Sequence, residues 1–214
     1  DLIDGNGGNA VGHPRNSIYS YQFTGLNAQG LPTFNMPEGE TDNITGANFQ
    51  DNDNVTDYLK YEGSIEPNKS IGLANTFTYK NWSLHVFIVG SGGNKVRLNP
   101  AFSSEYNDLT VFSKDFTNRW INPGDEKITD IPVIADEVLG NQYGGMNNLG
   151  IAYNTYNFSD ARIADGDFIR LKNVSLSYEF PKDFKKKLGL STFTLKGSTV
   201  NPWLIYSDKR LNGQ

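Results

Sequence analysis

Apolar and polar residues alternate with a period of two in several separate stretches of this chain. That period sends successive side chains to opposite faces of a strand. In "NVSLSYEF", Val174, Leu176, Tyr178 and Phe180 share one face, while Ser175, Ser177 and Glu179 share the other. The pattern predicts a strand over about 167–180. The clearest hairpin is "SIGLANTFTYKNWSLHVFIVG". Ile71, Leu73, Phe77 and Tyr79 alternate in its first arm (70–79), and Trp82, Leu84, Val86 and Ile88 in its second (82–90). Lys80 and Asn81 join the arms, and Asn tolerates the positive φ that tight hairpins require. Further strands are expected at about 16–26, carrying Tyr19, Tyr21 and Phe23, and at 191–206, carrying Phe193 and Leu195.

Between these strands the pattern lapses. Long loops are expected at about 27–64 and 92–164, and no sustained 3.6-residue period marks a long helix. One short helical turn is expected at 181–187. The joins at 80–81 and 181–190 are short, and the opposite strand ends open into the long loops. That asymmetry is ordinary for a transmembrane barrel and unusual for a compact soluble domain. Tyr79, Trp82, Tyr178 and Phe180 sit at strand ends beside the short joins, where membrane-interface aromatics fall. The pattern alone leaves a soluble β-sandwich equally open, because such sheets also alternate.

Composition narrows the classes. The longest apolar run, 84–89, falls far short of the roughly 18 residues that a membrane-crossing helix needs. Barrel strands escape this test, since they need only about 10 residues with half of them polar. A net charge of −5 argues against a nucleic-acid partner. The absence of cysteine removes disulfides, thiolate metal sites and cysteine nucleophiles. The chain opens on a polar Gly/Asn stretch and stops abruptly at Gln214, which reads as a piece of a longer protein.

No catalytic constellation emerges, so no enzyme is expected. His13 and His85 are far apart, and neither has metal-ligand spacing beside it. Asp51, Asp53 and Glu62 match positions one, three and twelve of a calcium loop. Val55 gives no side-chain oxygen at position five, however, and Thr56 replaces the required Gly. The run therefore reads as a solvated acidic loop, with a looser calcium site near Asp51 and Asp53 as the weaker alternative; no cofactor or metal is expected. Trp120, Tyr143 and Tyr153 are the loop aromatics suited to stacking on a sugar ring, set against a packing role for each. Lys182, Lys185, Lys186 and Lys187 read as a solvated rim at a short turn.

One stretch carries a family resemblance. "DGDFIRLKN" at 165–173, with Pro181 and the Leu-Gly-Leu at 188–190, resembles the C-terminal barrel region of SusC/RagA-type TonB-dependent outer-membrane transporters of Bacteroidota. "GHPRNSIYSYQFTGLNAQGLPTF", "NTFTYKNWSLHVFIVGSGGNKV" and "RWINPGDEKITDIP" resemble other segments of that family in the same order. At 200–203 this chain has Val-Asn-Pro-Trp where members often have Gln-Asn-Leu-Phe, and Pro202 lacks a ladder donor, so a kink or strand end is expected there.

The resemblance implies an all-β fold. Its antiparallel strands would form part of a large transmembrane β-barrel with long extracellular loops, residues 1–214 being a partial C-terminal barrel region. The plug domain and TonB box would lie outside this chain. It implies TonB-dependent import of oligosaccharides or peptides across the bacterial outer membrane, with barrel wall and extracellular loops supplied here. The implied partners are a SusD-like surface lipoprotein, TonB through the N-terminal region, outer-membrane lipid and the oligosaccharide or peptide substrate. The alternative reading is a soluble secreted carbohydrate-binding β-sandwich.

Overall fold

A computed structural model describes residues 7–36, 41–46, 59–106 and 112–211. In chain order the elements are β1 (Ser17–Ser20), β2 (Phe23–Leu26), β3 (Pro32–Phe34), β4 (Lys60–Ser64), β5 (Lys69–Tyr79), β6 (Trp82–Gly92), β7 (Lys95–Arg97), α1 (Glu137–Gln142), α2 (Met146–Asn157), β8 (Ile163–Asp165), β9 (Phe168–Glu179), α3 (Lys182–Lys187) and β10 (Thr194–Ser207). They divide into two units, one of residues 1–65, 95–164 and 209–214, the other of 66–94 and 165–208.

The second unit is a four-stranded antiparallel sheet in the order β10-β9-β6-β5. Tyr79 pairs with Trp82, so Lys80 and Asn81 alone make the turn. The left-handed residue is Lys80, at φ 53°, and not Asn81. Asn81 is committed elsewhere: its carbonyl accepts the Glu179 N–H at 2.9 Å, and its side-chain amide donates to the Glu179 carbonyl. Binding to β9 on both sides fixes Asn81, and the strained φ passes to its neighbour.

Alternation in β9 is interrupted once. Phe87 pairs with Asn173 but Ile88 with Leu171, so β9 carries an extra residue against β6. β10 in turn carries one extra against β9 between Val200 and Trp203, where Asn201 sits at φ 52° beside Pro202. The strand bulges at Pro202 and then continues to Ser207, because the bulge absorbs the residue that cannot donate to the ladder.

The first unit is built differently. Residues 16–26, expected as one strand, are two short ones. At the break, Tyr21 takes its hydrogen bonds from the α2 end, donating to the Phe158 carbonyl and accepting from the Asp160 N–H. The expected loop at 27–64 contains β3 and β4. The stretch at 92–164, expected to be irregular, contains α1 and the twelve-residue α2. Met146, Leu149, Tyr153 and Tyr156 recur at helical spacing, and the last three are buried. They join Tyr21, Leu31, Phe34, Phe102 and Phe116 in one core. Packing holds this Asn-rich helix, which has little intrinsic propensity of its own.

Candidate functional site

Register places the outward side chains of the four-stranded sheet in rows. Tyr79, Trp82, Tyr178 and Leu195 form the row next to the hairpin turn. Phe77, Leu84, Leu176 and Gly197 form the next, followed by Asn75, Val86, Val174 and Thr199. Beyond the bulges come Leu73, Ile88, Leu171 and Trp203, then Ile71, Gly90, Ile169 and Tyr206. Nearly every member of this face is apolar, and many are open: Ile71 is 71% exposed, Phe77 58% and Trp203 72%. A sandwich would bury such a face under a second sheet, and among the described residues none covers it.

The other face is polar in the rows next to the short turns, and farther along it carries Phe87, Val200, Val89, Leu204 and Phe168. Thr78, Ser83, Ser177 and Lys196 make one row, and Thr76, His85, Ser175 and Ser198 the next. His85 Nδ1 lies 3.0 Å from the Thr76 hydroxyl, a cross-strand hydrogen bond. Among the described residues no group of three or more His, Asp or Glu is arranged to hold a metal ion. Asp51 and Asp53 lie outside the described residues.

The four strand-end aromatics come together. Trp82 and Tyr178 have ring centroids 4.7 Å apart, and Tyr178 meets Phe180 edge-on at 5.0 Å. Phe180 then stacks on Phe193 at 4.6 Å and on Phe184 at 5.0 Å. Tyr79 stands beside Trp82 across the turn, with the Lys80 ammonium 5.3 Å from its ring centre. The sequence pattern missed Trp203 and Tyr206, which mark the opposite end of the same face. Strict alternation from Leu195 carries Trp203 onto this face, whereas Tyr206 reaches it only through the register shift between Leu204 and Tyr206.

The three loop aromatics are not brought together into one open surface. Trp120 is 8% exposed and Tyr153 1%, so neither ring offers a face to a ligand. The Trp120 ring lies on Gly30, where an added Cβ would come within 2.5 Å of it, so the contact requires glycine. Its indole N–H donates to Glu126 Oε2 at 3.1 Å. Hydrogen bonds from its own backbone amide, from Trp120 and from the Gly124 amide hold the Glu126 carboxyl below the usual glutamate range. The Tyr153 hydroxyl donates to the Val133 carbonyl at 2.6 Å, and burial raises its pKa far above the ordinary tyrosine value. Tyr143 alone is partly open, its hydroxyl donating to Gln29 Oε1 at 3.1 Å. Lys185, expected on a solvated rim, is instead buried against Glu179 at 2.8 Å.

The first unit also exposes an apolar strip that the pattern did not disclose. Val138 is 70% exposed and Ile134 38%. They border a shallow groove with Pro123 and Leu139, and Ile134 borders a second groove with Phe112. A signal was present in "DEVLG": Asp136 caps α1 by accepting the Leu139 N–H at 2.7 Å, as an Asp before a helical run does.

No family model matches the chain. TonB-dependent receptor P26 of Formosa agariphila is 30% identical over 181 residues, covering 78% of this chain and 16% of that protein. TonB-dependent receptor P3 of the same organism is 26% identical over 204 residues, covering 91% of this chain and 18% of that protein. The chain thus spans less than a fifth of these relatives. Among solved structures, the RagAB peptide transporter matches with TM-score 0.60 at 18% identity, over 89% of this chain and 19% of that one. The RagAB peptide importer in its closed-closed state matches with TM-score 0.61 at 18% identity, over 90% and 20%. That likeness establishes the fold.

Proposed function

We propose, from the premise that the chain is a stretch of a SusC/RagA-type TonB-dependent receptor of the bacterial outer membrane, that the whole protein imports oligosaccharides or peptides. This stretch is the C-terminal part of the barrel, supplying wall and extracellular loops and making no bonds. The carrying observation is the open apolar face of the β10-β9-β6-β5 sheet with aromatics at both ends. From Trp82 to Gly90 a strand advances about 27 Å. At a barrel tilt of about 40° that is about 20 Å of height, close to the apolar band of about 25 Å in outer-membrane barrels. Both short turns, 80–81 and 180–193, lie at one end of the sheet. The chain enters and leaves the sheet at the other end, beside Lys69, Gly92 and Phe168. The short-turn end faces the periplasm.

Energy for import comes through TonB, which engages an N-terminal region beyond this chain. A SusD-like surface lipoprotein docks on the loop unit, where Val138, Ile134 and Phe112 offer exposed apolar anchors of the kind interfaces use. Tyr143 is the loop aromatic left open to a substrate.

Cells carrying the full-length protein, with and without TonB, test this reading by uptake of labelled oligosaccharides and of labelled peptides. Uptake of either class that disappears without TonB supports it. Failure to take up both, or uptake indifferent to TonB, overturns it.

A further inference from the structure

We propose that the turn between β9 and β10 is a binding site for the phosphate of an anionic phospholipid in the leaflet at the short-turn end. The inference rests on the outer-membrane reading and adds a specific lipid partner to it.

α3 is short but sharply formed. Gly189, at φ 67°, closes it: the Leu190 N–H reaches the Lys185 carbonyl at 3.0 Å, and the Gly189 N–H reaches that of Lys186 at 3.1 Å. This paired closure fixes where the helix stops and which residues share a face. Phe184 and Leu188, four apart, point the same way, and both are open at 43% and 54%. Phe184 also stacks near Phe180 and Phe193, so its apolar side continues the aromatic belt of the sheet. Leu190 is open as well.

Charge divides the same turn. Lys185 turns inward to Glu179 and is spent there. Lys182, Lys186 and Lys187 remain exposed on α3, with Lys80 at the neighbouring turn. Asp183 is the acidic residue within α3, so the exposed balance is strongly positive. In water, this many open phenylalanine and leucine side chains would be a liability. Apolar side chains on one side and lysines on the other are what a short interfacial helix presents to headgroups. Lysines near a surface favour anionic lipid, each by roughly fivefold. A zwitterionic headgroup would satisfy the aromatic belt, but its own cation cancels its phosphate, so only an anionic lipid offers the three lysines a net counter-charge.

The test uses the full-length protein reconstituted in vesicles of phosphatidylcholine with one-fifth phosphatidylglycerol, then extracted for native mass spectrometry of the lipids retained. Wild type is expected to retain phosphatidylglycerol several-fold above its share. K182Q/K186Q/K187Q is expected to bring that enrichment close to one, and K182R/K186R/K187R to keep it. Folding of each variant is checked by the heat-dependent gel shift of a closed barrel. Wild type without enrichment, or enrichment unchanged in the glutamine variant, overturns the proposal while leaving the barrel reading intact. Failure of the wild type to insert into any vesicle overturns the barrel reading itself.

Discussion

Leu84 and Ser198 lie on opposite faces of one sheet, and the difference between those faces is measurable at single residues. Leu84→Arg or Leu176→Arg places a charge on the apolar face. Near the bilayer midplane this is expected to destabilise insertion by about 2–4 kcal/mol. Ser198→Arg should cost much less, because its face already carries Lys196 and water-compatible side chains. Refolding titrations of the full-length protein into vesicles compare the two, and equal penalties would remove the argument from alternation. The loop unit offers a pH test. Glu126 has its pKa lowered in the folded state by its hydrogen bonds, including that from Trp120. A depressed carboxylate contributes stability that is present above the unfolded value of about 4.3 and is lost as pH falls through the folded value. Trp120 fluorescence should therefore hold steady at neutral pH and change only under acid. Glu126→Gln should abolish that acid step, and an unchanged step would assign it to another carboxylate.

Strands of the sheet were legible because side-chain period is a local property, and rows such as Phe77, Leu84 and Leu176 need only alternation to be seen. Bulges are not local: the extra residues at Lys172 and at 201–202 become visible only against the partner strand. Extrapolating β9 by strict alternation from Val174 puts Phe168 and Arg170 on the apolar face, whereas register puts Ile169 and Leu171 there. α2 was hidden for a different reason. Its apolar positions are spaced for a helix, but Asn and Gly between them lower propensity, and only the surrounding core makes the helix stable. A packing role for Trp120 and Tyr153 was legible in the sequence, but their partners Gly30 and Val133 were not, because tertiary packing sets them. The bulge itself is testable. Asn201 holds a left-handed φ that β-branched residues resist, so Asn201→Val is expected to cost about 1–2 kcal/mol and Asn201→Gly little. The midpoints of urea-dependent folding into vesicles would order the three proteins. A valine variant as stable as wild type would mean that the bulge relaxes to another register.

The sheet as a whole has two edges, β5 and β10, of 11 and 14 residues, and neither has a second strand partner on its outer side among the described residues. In an antiparallel strand alternate residues direct both backbone groups to the same side. Roughly a dozen N–H and C=O pairs are therefore left facing outward along these edges. In hydrocarbon each unsatisfied group costs several kcal/mol, and the sum reaches tens of kcal/mol. A domain's net stability is only about 5–15 kcal/mol, so this sheet cannot stand in a bilayer by itself. Further strands must close both edges, as in a complete barrel. Refolded without them, residues 1–214 are expected to self-associate through β5 and β10 in detergent or lipid, while the full-length protein runs as one closed species. Size-exclusion chromatography with light scattering, after extraction from vesicles, distinguishes the two. A monomer of residues 1–214, inserted and resistant to protease over 69–92 and 168–207, would show that the edges are closed from within the chain and would remove the case for a larger wall.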